Sequence, residues 1–490
     1  MEKTKKSYGL SFMKWVERTF MPIISKLGEN RYIDAIRNGM ISIIPILLIG
    51  SLFLILFFFP IGKESGQTFG QAVLMKTEAG KKWASFLMLP YRLTYPMLGF
   101  FAVLGIARSL SKSYKLDDQQ GVLIALIGYL ISIIGPKYTG IGNPTISTAS
   151  FGSATIFGGI VVSILSIEIF RLCVKYNIII KMPKSVPQSV AKPFNALIPM
   201  IFVILPATFL FYFLKFDIHS YVNFTLSPLQ TLFGKSNYFG FLIVVLFVMI
   251  LWIAGIHGMS IIGALARPFW LIAIDQNSEL LTNLKVSMLY AKDGANILVE
   301  PFFQWFVWIG GAGATLGLII VMLLFAKSKY IRSVTYPSVL PGIFNINEPI
   351  IFGYPLVLNP FLALPAILSP IVMGTVTFIL MKLNLIAIPV QTVGWTLPTF
   401  FGALLSTGLD WKAGVLTFVL IFISCLIWYP FAIAYDKKLL KEEIEMEIET
   451  RIAEAKKQNI TLDVDKLKEE ISKEFHSRTI FKRKFWKRKQ

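Results

Sequence analysis

The sequence predicts an all-α fold: a polytopic helical membrane protein of about ten transmembrane helices plus two re-entrant hairpins, with a cytoplasmic C-terminal helical tail. Three observations predict it. Of 490 residues, 55% are hydrophobic and 16% charged, at a mean hydropathy of +0.64; soluble domains carry about 25% charged residues. The apolar residues gather in runs long enough to cross a bilayer. Basic residues collect between the runs, as in cytoplasmic membrane loops.

This composition excludes a single water-soluble domain, and a disordered chain, which needs low hydrophobicity. The net charge of +20 is no single nucleic-acid-binding face. Residues 1–435 hold 32 Lys+Arg against 16 Asp+Glu, and residues 436–490 hold 16 against 12. Cys173 and Cys425 both sit in apolar runs, which excludes a disulfide scaffold and a cysteine-ligated zinc site. No metal and no cofactor is expected.

In chain order, residues 1–38 mix aromatic and aliphatic residues with Lys and Arg, and predict an interfacial amphipathic segment. The first apolar run is long enough to span and lacks a convincing cleavage site, so no secretory signal is expected. Clear apolar runs follow at 39–60, 94–110, 120–136, 151–173, 195–214, 238–256, 311–326, 361–381 and 413–435. Weaker runs, interrupted by Gly or Pro, lie near 259–275, 297–310, 340–358 and 386–409. The basic connections 1–38, 108–118 and 171–192 place the N-terminus in the cytoplasm, with Lys327, Lys329 and Arg332 on the same side. The connection 61–90 is the weakest fit to this alternation.

A polar loop at 215–237 divides the chain into a first transmembrane half, 39–225, and a second, 226–435. Eight of the ten tryptophans follow residue 237, among apolar segments broken by Gly and Pro. Broken helices at membrane depth survive only inside protein or around a cavity. The second half is therefore the expected binding half. In the tail, 436–490, Leu439, Leu440, Ile444, Ile448, Ile452 and Ala455 recur at helical spacing. A break near Asn459 and a second helix to about Phe475 follow. The end, KRKFWKRK, reads as an anchor on anionic lipid.

Ionisable residues in apolar segments usually mark function. Glu348 lies in GIFNINEPIIFGYP beside Asn345 and Asn347. Pro349 pushes its backbone out of the α region, which suits a hairpin lining a cavity; the structural alternative is a carboxylate at a helix N-terminus, stabilised by local N–H groups. His257, between glycines in GIHG, is equally compatible with a structural and a functional role. Glu300 precedes Pro301 in NILVEPFFQWF and suggests a second hairpin. The following GGAGATLG is no Walker loop and reads as close helix packing. Glu168 precedes Arg171 by about one turn and reads as a structural ion pair. Trp252, Trp305, Trp308 and Trp395 accompany the broken segments. An aromatic belt would account for any one of them, but Trp252 and Trp395 are assigned to the site. Trp, Asn, Glu and His together suit a neutral polyol.

The ordered set GIHG, PFFQWFVWIGGAGATLGL, LPGIFNINEPIIFGYPLVLNP and VGWTLPTFFGALLSTG resembles the enzyme IIC permease family of the bacterial phosphoenolpyruvate-dependent sugar phosphotransferase system. The nearest branch is lactose, cellobiose and diacetylchitobiose. FMPIISKLGENRYIDAIRNGMISIIPILLIGSL resembles the same family, and the likeness covers about 10–435. The resemblance implies a dimerising N-terminal half and a C-terminal half whose re-entrant hairpins surround a disaccharide. It places Glu348 and His257 at the chemistry, and Asn347, Trp252 and Trp395 against the sugar. Glu300, which matches no family carboxylate, joins the substrate-binding set on its position alone. The family's sugar takes a phosphoryl group on its 6-hydroxyl from a phosphocysteine on a separate IIB protein, itself served by IIA. Glu348 would act as base with His257 as hydrogen-bond partner, or the reverse. The tail is longer than this branch's and has no cysteine, so it is not a fused IIB domain. The expected place is a bacterial cell membrane, multi-pass, with both termini cytoplasmic. The competing readings are an uncoupled sugar facilitator and a membrane sensor or scaffold acting through its tail.

Overall fold

The computed structural model describes residues 30–59, 68–144, 146–183, 188–255, 257–354, 356, 359–394, 397–457, 467 and 471. The described residues are helical, with no strand beyond an isolated bridge between Leu289 and Ile388. The expected all-α class is therefore the observed one. Most of segment 1–38, the end of the tail and Trp395 lie outside the described residues.

The first half begins with α1 (Arg31–Ser42), whose N-terminal N–H groups are capped by the Asn30 side chain. Helix α2 (Ile44–Phe57) follows after a break at Ile43, with Pro45 in its first turn. Helices α3 (Glu78–Arg92), α4 (Leu98–Ser113), α5 (Asp118–Ile134) and α6 (Ile156–Lys175) come next. Small residues let these helices approach closely. A Cβ on Gly39 would strike Ile106, and one on Gly121 would strike Ser111. Helix α7 (Gln188–Thr208) contains three prolines and ends in a π-turn at Phe209–Phe213. At the N-cap of α5, Asp117 meets Lys192 of α7 at 2.9 Å. Burial alone would raise this carboxyl, but the Gln120 N–H and Lys192 outweigh it and hold it below the usual carboxylate range.

The polar loop expected at 215–237 is instead mostly helix α8 (Ile218–Phe233), started by Asp217, whose side chain accepts from Ser220 N–H. Position 225 falls inside it. His219, expected in a loop, is buried on this helix, 3.0 Å from Ser132 Oγ. Helix α9 (Tyr238–Ile253) follows at a bend of 79°.

The second half continues with α10 (Gly258–Leu284), then a short turn Glu300–Phe302 running into a π-turn at Phe303–Val307. Next come α11 (Thr315–Phe325), α12 (Lys329–Ile343), the short α13 (Glu348–Gly353), α14 (Pro360–Lys382), α15 (Thr399–Ser406) and α16 (Trp411–Lys457). Among the described residues, five helices are long and apolar enough to cross a membrane, or six if α8 and α9 form one bent span. Helices α2, α4 and α9, of 14, 16 and 16 residues, occupy three further expected runs at shorter length. The first tail helix is not separate: α16 is continuous for 47 residues through residue 436. Leu467 and Ile471 are buried in a cluster with Leu440; the rest of the expected second tail helix lies outside the described residues.

Candidate functional site

Three breaks in the second half converge, and asparagines tie them together. A helix break exposes backbone N–H and C=O groups that lipid cannot satisfy. Asn345 Oδ1 accepts from Gly310 N–H at 2.9 Å, and its Nδ2 donates to Leu397 C=O at 3.2 Å. Asn347 Nδ2 donates to Ala312 C=O at 2.8 Å. One short sequence, NIN, thus joins the glycine loop, the Glu348 segment and the segment before α15. Asn277 of α10 does the same below, donating to Asn296 C=O at 2.8 Å and Pro389 C=O at 2.9 Å.

The glycine run splits by role. Gly310, Gly311 and Gly313 have positive φ, a conformation that disfavours side chains. A Cβ on Gly311 would also clash with Asn347. These residues form a turn, not a helix face. Gly317 alone fits the expected close packing, lying against Ser424 on α16.

The breaks enclose a cavity of about 400 Å³. Its lining includes Trp252, His257, Glu300, Asn347 and Glu348, five of the six expected site residues. The sixth, Trp395, lies outside the described residues; its neighbours Thr392 and Val393 line the cavity. His257 Nε2 stands 3.8 Å from Glu348 Oε1, and both side chains are 47% exposed. That separation is too long for a direct hydrogen bond and leaves both groups accessible to a hydroxyl. The His257 ring lies 4.4 Å from the buried Trp252 ring, centroid to centroid. This packing sets one face of the imidazole.

Glu300 is held differently. Arg267 of α10 grips its Oε1 with two hydrogen bonds, from Nη2 at 2.6 Å and Nε at 3.0 Å. The wall therefore carries a neutral ion pair rather than a lone carboxylate. Arg267, Gln304 and Thr392 line the cavity and were not anticipated. Arg267 is an ionisable residue inside the weak apolar run 259–275, so the rule that selected Glu300 also selects it. The buried indole N–H groups of Trp252 and Trp308 have no acceptor among the described residues.

The aromatic-belt account fails for most tryptophans of this half. Trp252, Trp270, Trp305, Trp308 and Trp428 are all at most 4% exposed, whereas Trp411 is exposed. A larger groove, about 970 Å³, lies among α1, α4 and α5. At its mouth Asp118 is paired with Arg108 and Lys112, at 3.1 and 3.6 Å, and it gathers no acid–base pair of the kind facing the smaller cavity. Glu168 is paired with Arg171 at 2.6 Å and accepts from Tyr32 Oη at 3.1 Å, as a structural pair should.

Comparison with known proteins gives the same direction. The family described as "Phosphotransferase system, EIIC" matches residues 37–370. The chain is 35% identical over 448 residues to the lichenan permease IIC component of Bacillus subtilis (strain 168), covering 88% of this chain and 95% of that protein. It is 35% identical over 446 residues to the cellobiose-specific EIIC component of Geobacillus stearothermophilus, covering 88% and 96%. The crystal structure of the transporter ChbC, the IIC component of the N,N'-diacetylchitobiose-specific phosphotransferase system, superposes with a TM-score of 0.78 at 34% identity. That likeness covers 88% of this chain and 99% of ChbC. The chain belongs to the EIIC family of sugar phosphotransferase system permeases.

Proposed function

We propose that the chain binds and translocates a β-linked disaccharide of the cellobiose, diacetylchitobiose or lactose type while its 6-hydroxyl is phosphorylated by a separate phosphocysteine-bearing IIB protein. The observation that carries the site is the His257–Glu348 pair, 3.8 Å apart and accessible in a cavity walled by Trp252, Trp308 and Asn347. Glu348 accepts the hydroxyl proton and His257 holds the oxygen. The oxygen forms the new O–P bond as the P–S bond to the IIB cysteine breaks, and the thiolate leaves. Trp252 and Trp395 pack against the apolar faces of the sugar, and Asn347 fixes its wall. The Arg267–Glu300 pair offers donor and acceptor groups without net charge, which suits a neutral polyol.

In this reading about ten spans and two re-entrant hairpins, carrying Glu300 and Glu348, cross or enter the membrane. The half 39–225 dimerises, the half 226–435 carries the sugar, and the segment 1–38 rests on lipid. Both termini and the tail 436–490 are cytoplasmic, where IIB docks; IIA acts through IIB. The basic connections and the ChbC superposition support this arrangement.

The test is uptake of labelled cellobiose, diacetylchitobiose and lactose into vesicles holding the protein, with phosphorylated IIB inside. Sugar phosphate formed only with phosphorylated IIB supports the reading. Free sugar entering at the same rate without IIB would replace it with an uncoupled carrier.

A further inference from the structure

Two carboxylates on the tail side of α16 cap another helix. Asp436, 2% exposed, accepts from Lys327 N–H at 3.0 Å and Ser328 N–H at 3.0 Å. Glu443 lies seven residues further along the same helix. It accepts from Lys329 N–H at 2.9 Å, Tyr330 N–H at 2.9 Å and Ser328 Oγ at 2.5 Å. Ser328 Oγ in turn accepts from Ile331 N–H at 3.2 Å. The N–H groups at the start of α12 that have no intrahelical partner are thus satisfied largely by α16. Negative charge there is also favoured by the helix dipole.

Helix α12, which contains Pro337 and Pro341, is about 22 Å long at 1.5 Å per residue. At its far end are Asn345, Asn347 and Glu348. The return helix α13 is fastened back onto it. Tyr330 Oη donates to Gly353 C=O at 2.8 Å, and the Tyr354 hydroxyl bonds Thr335. The same helix α16 holds the opposite wall. Ser424 Oγ donates to Ala314 C=O at 2.8 Å and Trp428 Nε1 to Gly313 C=O at 3.3 Å. Both facing walls, the glycine turn and the NIN–Glu348 segment, are referenced to one helix, and the lower two attachments lie in the tail.

We propose that Asp436 and Glu443 are positioning residues for phosphoryl transfer: by fixing the start of α12 they set Glu348 relative to His257. This makes the root of the tail part of the site's framework rather than an appendage. The transfer part rests on the function proposed above; the mechanical part does not.

The experiment uses the full chain in lipid nanodiscs, with wild type, Asp436→Ala, Asp436→Asn, Glu443→Gln and the Asp436→Ala/Glu443→Gln pair. Hydrogen exchange at 327–353 is read without sugar. Sugar affinity and single-turnover transfer from phosphorylated IIB are read separately. Displacing a catalytic group by about 1 Å can cost about 100-fold in rate. The expected result for the pair is a transfer rate lower by about 10–100-fold with sugar affinity within about threefold. Exchange at 345–353 should rise along with that at 327–331. Asp436→Asn keeps an acceptor oxygen for both N–H groups and should recover most of the rate. Exchange rising at 327–331 alone, with transfer unchanged, overturns the proposal. So does a proportional loss of affinity, rate and thermal stability, which would mark the cap as structural only. If wild type itself transfers nothing, the function proposed above fails, and exchange at 345–353 alone decides the mechanical claim.

Discussion

The two carboxylates Glu168 and Glu348 both lie in apolar runs, yet they are built to opposite ends. Glu168 sits on an unbroken helix, closes on Arg171 at 2.6 Å and takes a further hydrogen bond from Tyr32. Glu348 opens a six-residue helix, faces His257 at 3.8 Å and is half exposed to a cavity. The halves that contain them differ in the same way. In the first, glycines let continuous helices touch. In the second, glycines turn the chain, and Asn345, Asn347 and Asn277 satisfy the backbone the breaks release. On the function proposed above, the difference teaches that a membrane carboxylate signals a site when its backbone is broken and its partner stands off. Where the helix is whole and the partner close, it signals architecture.

Substitutions can break or sharpen this contrast. The largest effect belongs to Glu348→Gln, which removes the proposed base; transfer to sugar should fall by about 100-fold or more, measured as sugar phosphate per phosphorylated IIB consumed. Asn345→Ala strips the acceptor from Gly310 N–H and the donor from Leu397 C=O. At about 1–3 kcal/mol per buried group left unsatisfied, it should lower the thermal midpoint and weaken sugar binding about tenfold or more, read by calorimetry in nanodiscs. Arg267→Leu leaves Glu300 without its two hydrogen bonds. Both groups are partly exposed, so the cost should fall well short of the roughly 3–5 kcal/mol of a fully buried pair, and adding Glu300→Gln should restore most of the stability. Glu168→Gln should be the smallest, about 1 kcal/mol of stability or less with transfer within a factor of two, in the same vesicle assay.

Much of this was legible in the sequence because the solvent imposes it. Long apolar runs had to become helices, and the Gly- and Pro-rich interruptions marked where helices would fail. Glu348, His257, Asn347, Trp252 and Glu300 all reached one cavity. Periodicity could not tell that the polar stretch after Lys215 is helical, since Asp217 caps α8 through a local hydrogen bond that no hydrophobic pattern reports. Arg267 met the same rule as Glu300, but its role depends on a partner 33 residues away, which the sequence does not reveal. Tryptophans expected at the bilayer surface are buried because the broken segments leave interior volume that large rings fill. The continuity of α16 across the charge boundary at residue 436 was illegible for a similar reason. Composition changes there, but helical hydrogen bonding does not.

The most direct test measures sugar affinity and phosphoryl transfer on the same reconstituted protein for wild type, Glu348→Gln and Glu168→Gln. The account predicts that all three bind disaccharide within about tenfold of one another, while only Glu348→Gln loses transfer, by about 100-fold or more. Equal transfer by wild type and Glu348→Gln, or an equal loss in Glu168→Gln, would contradict it.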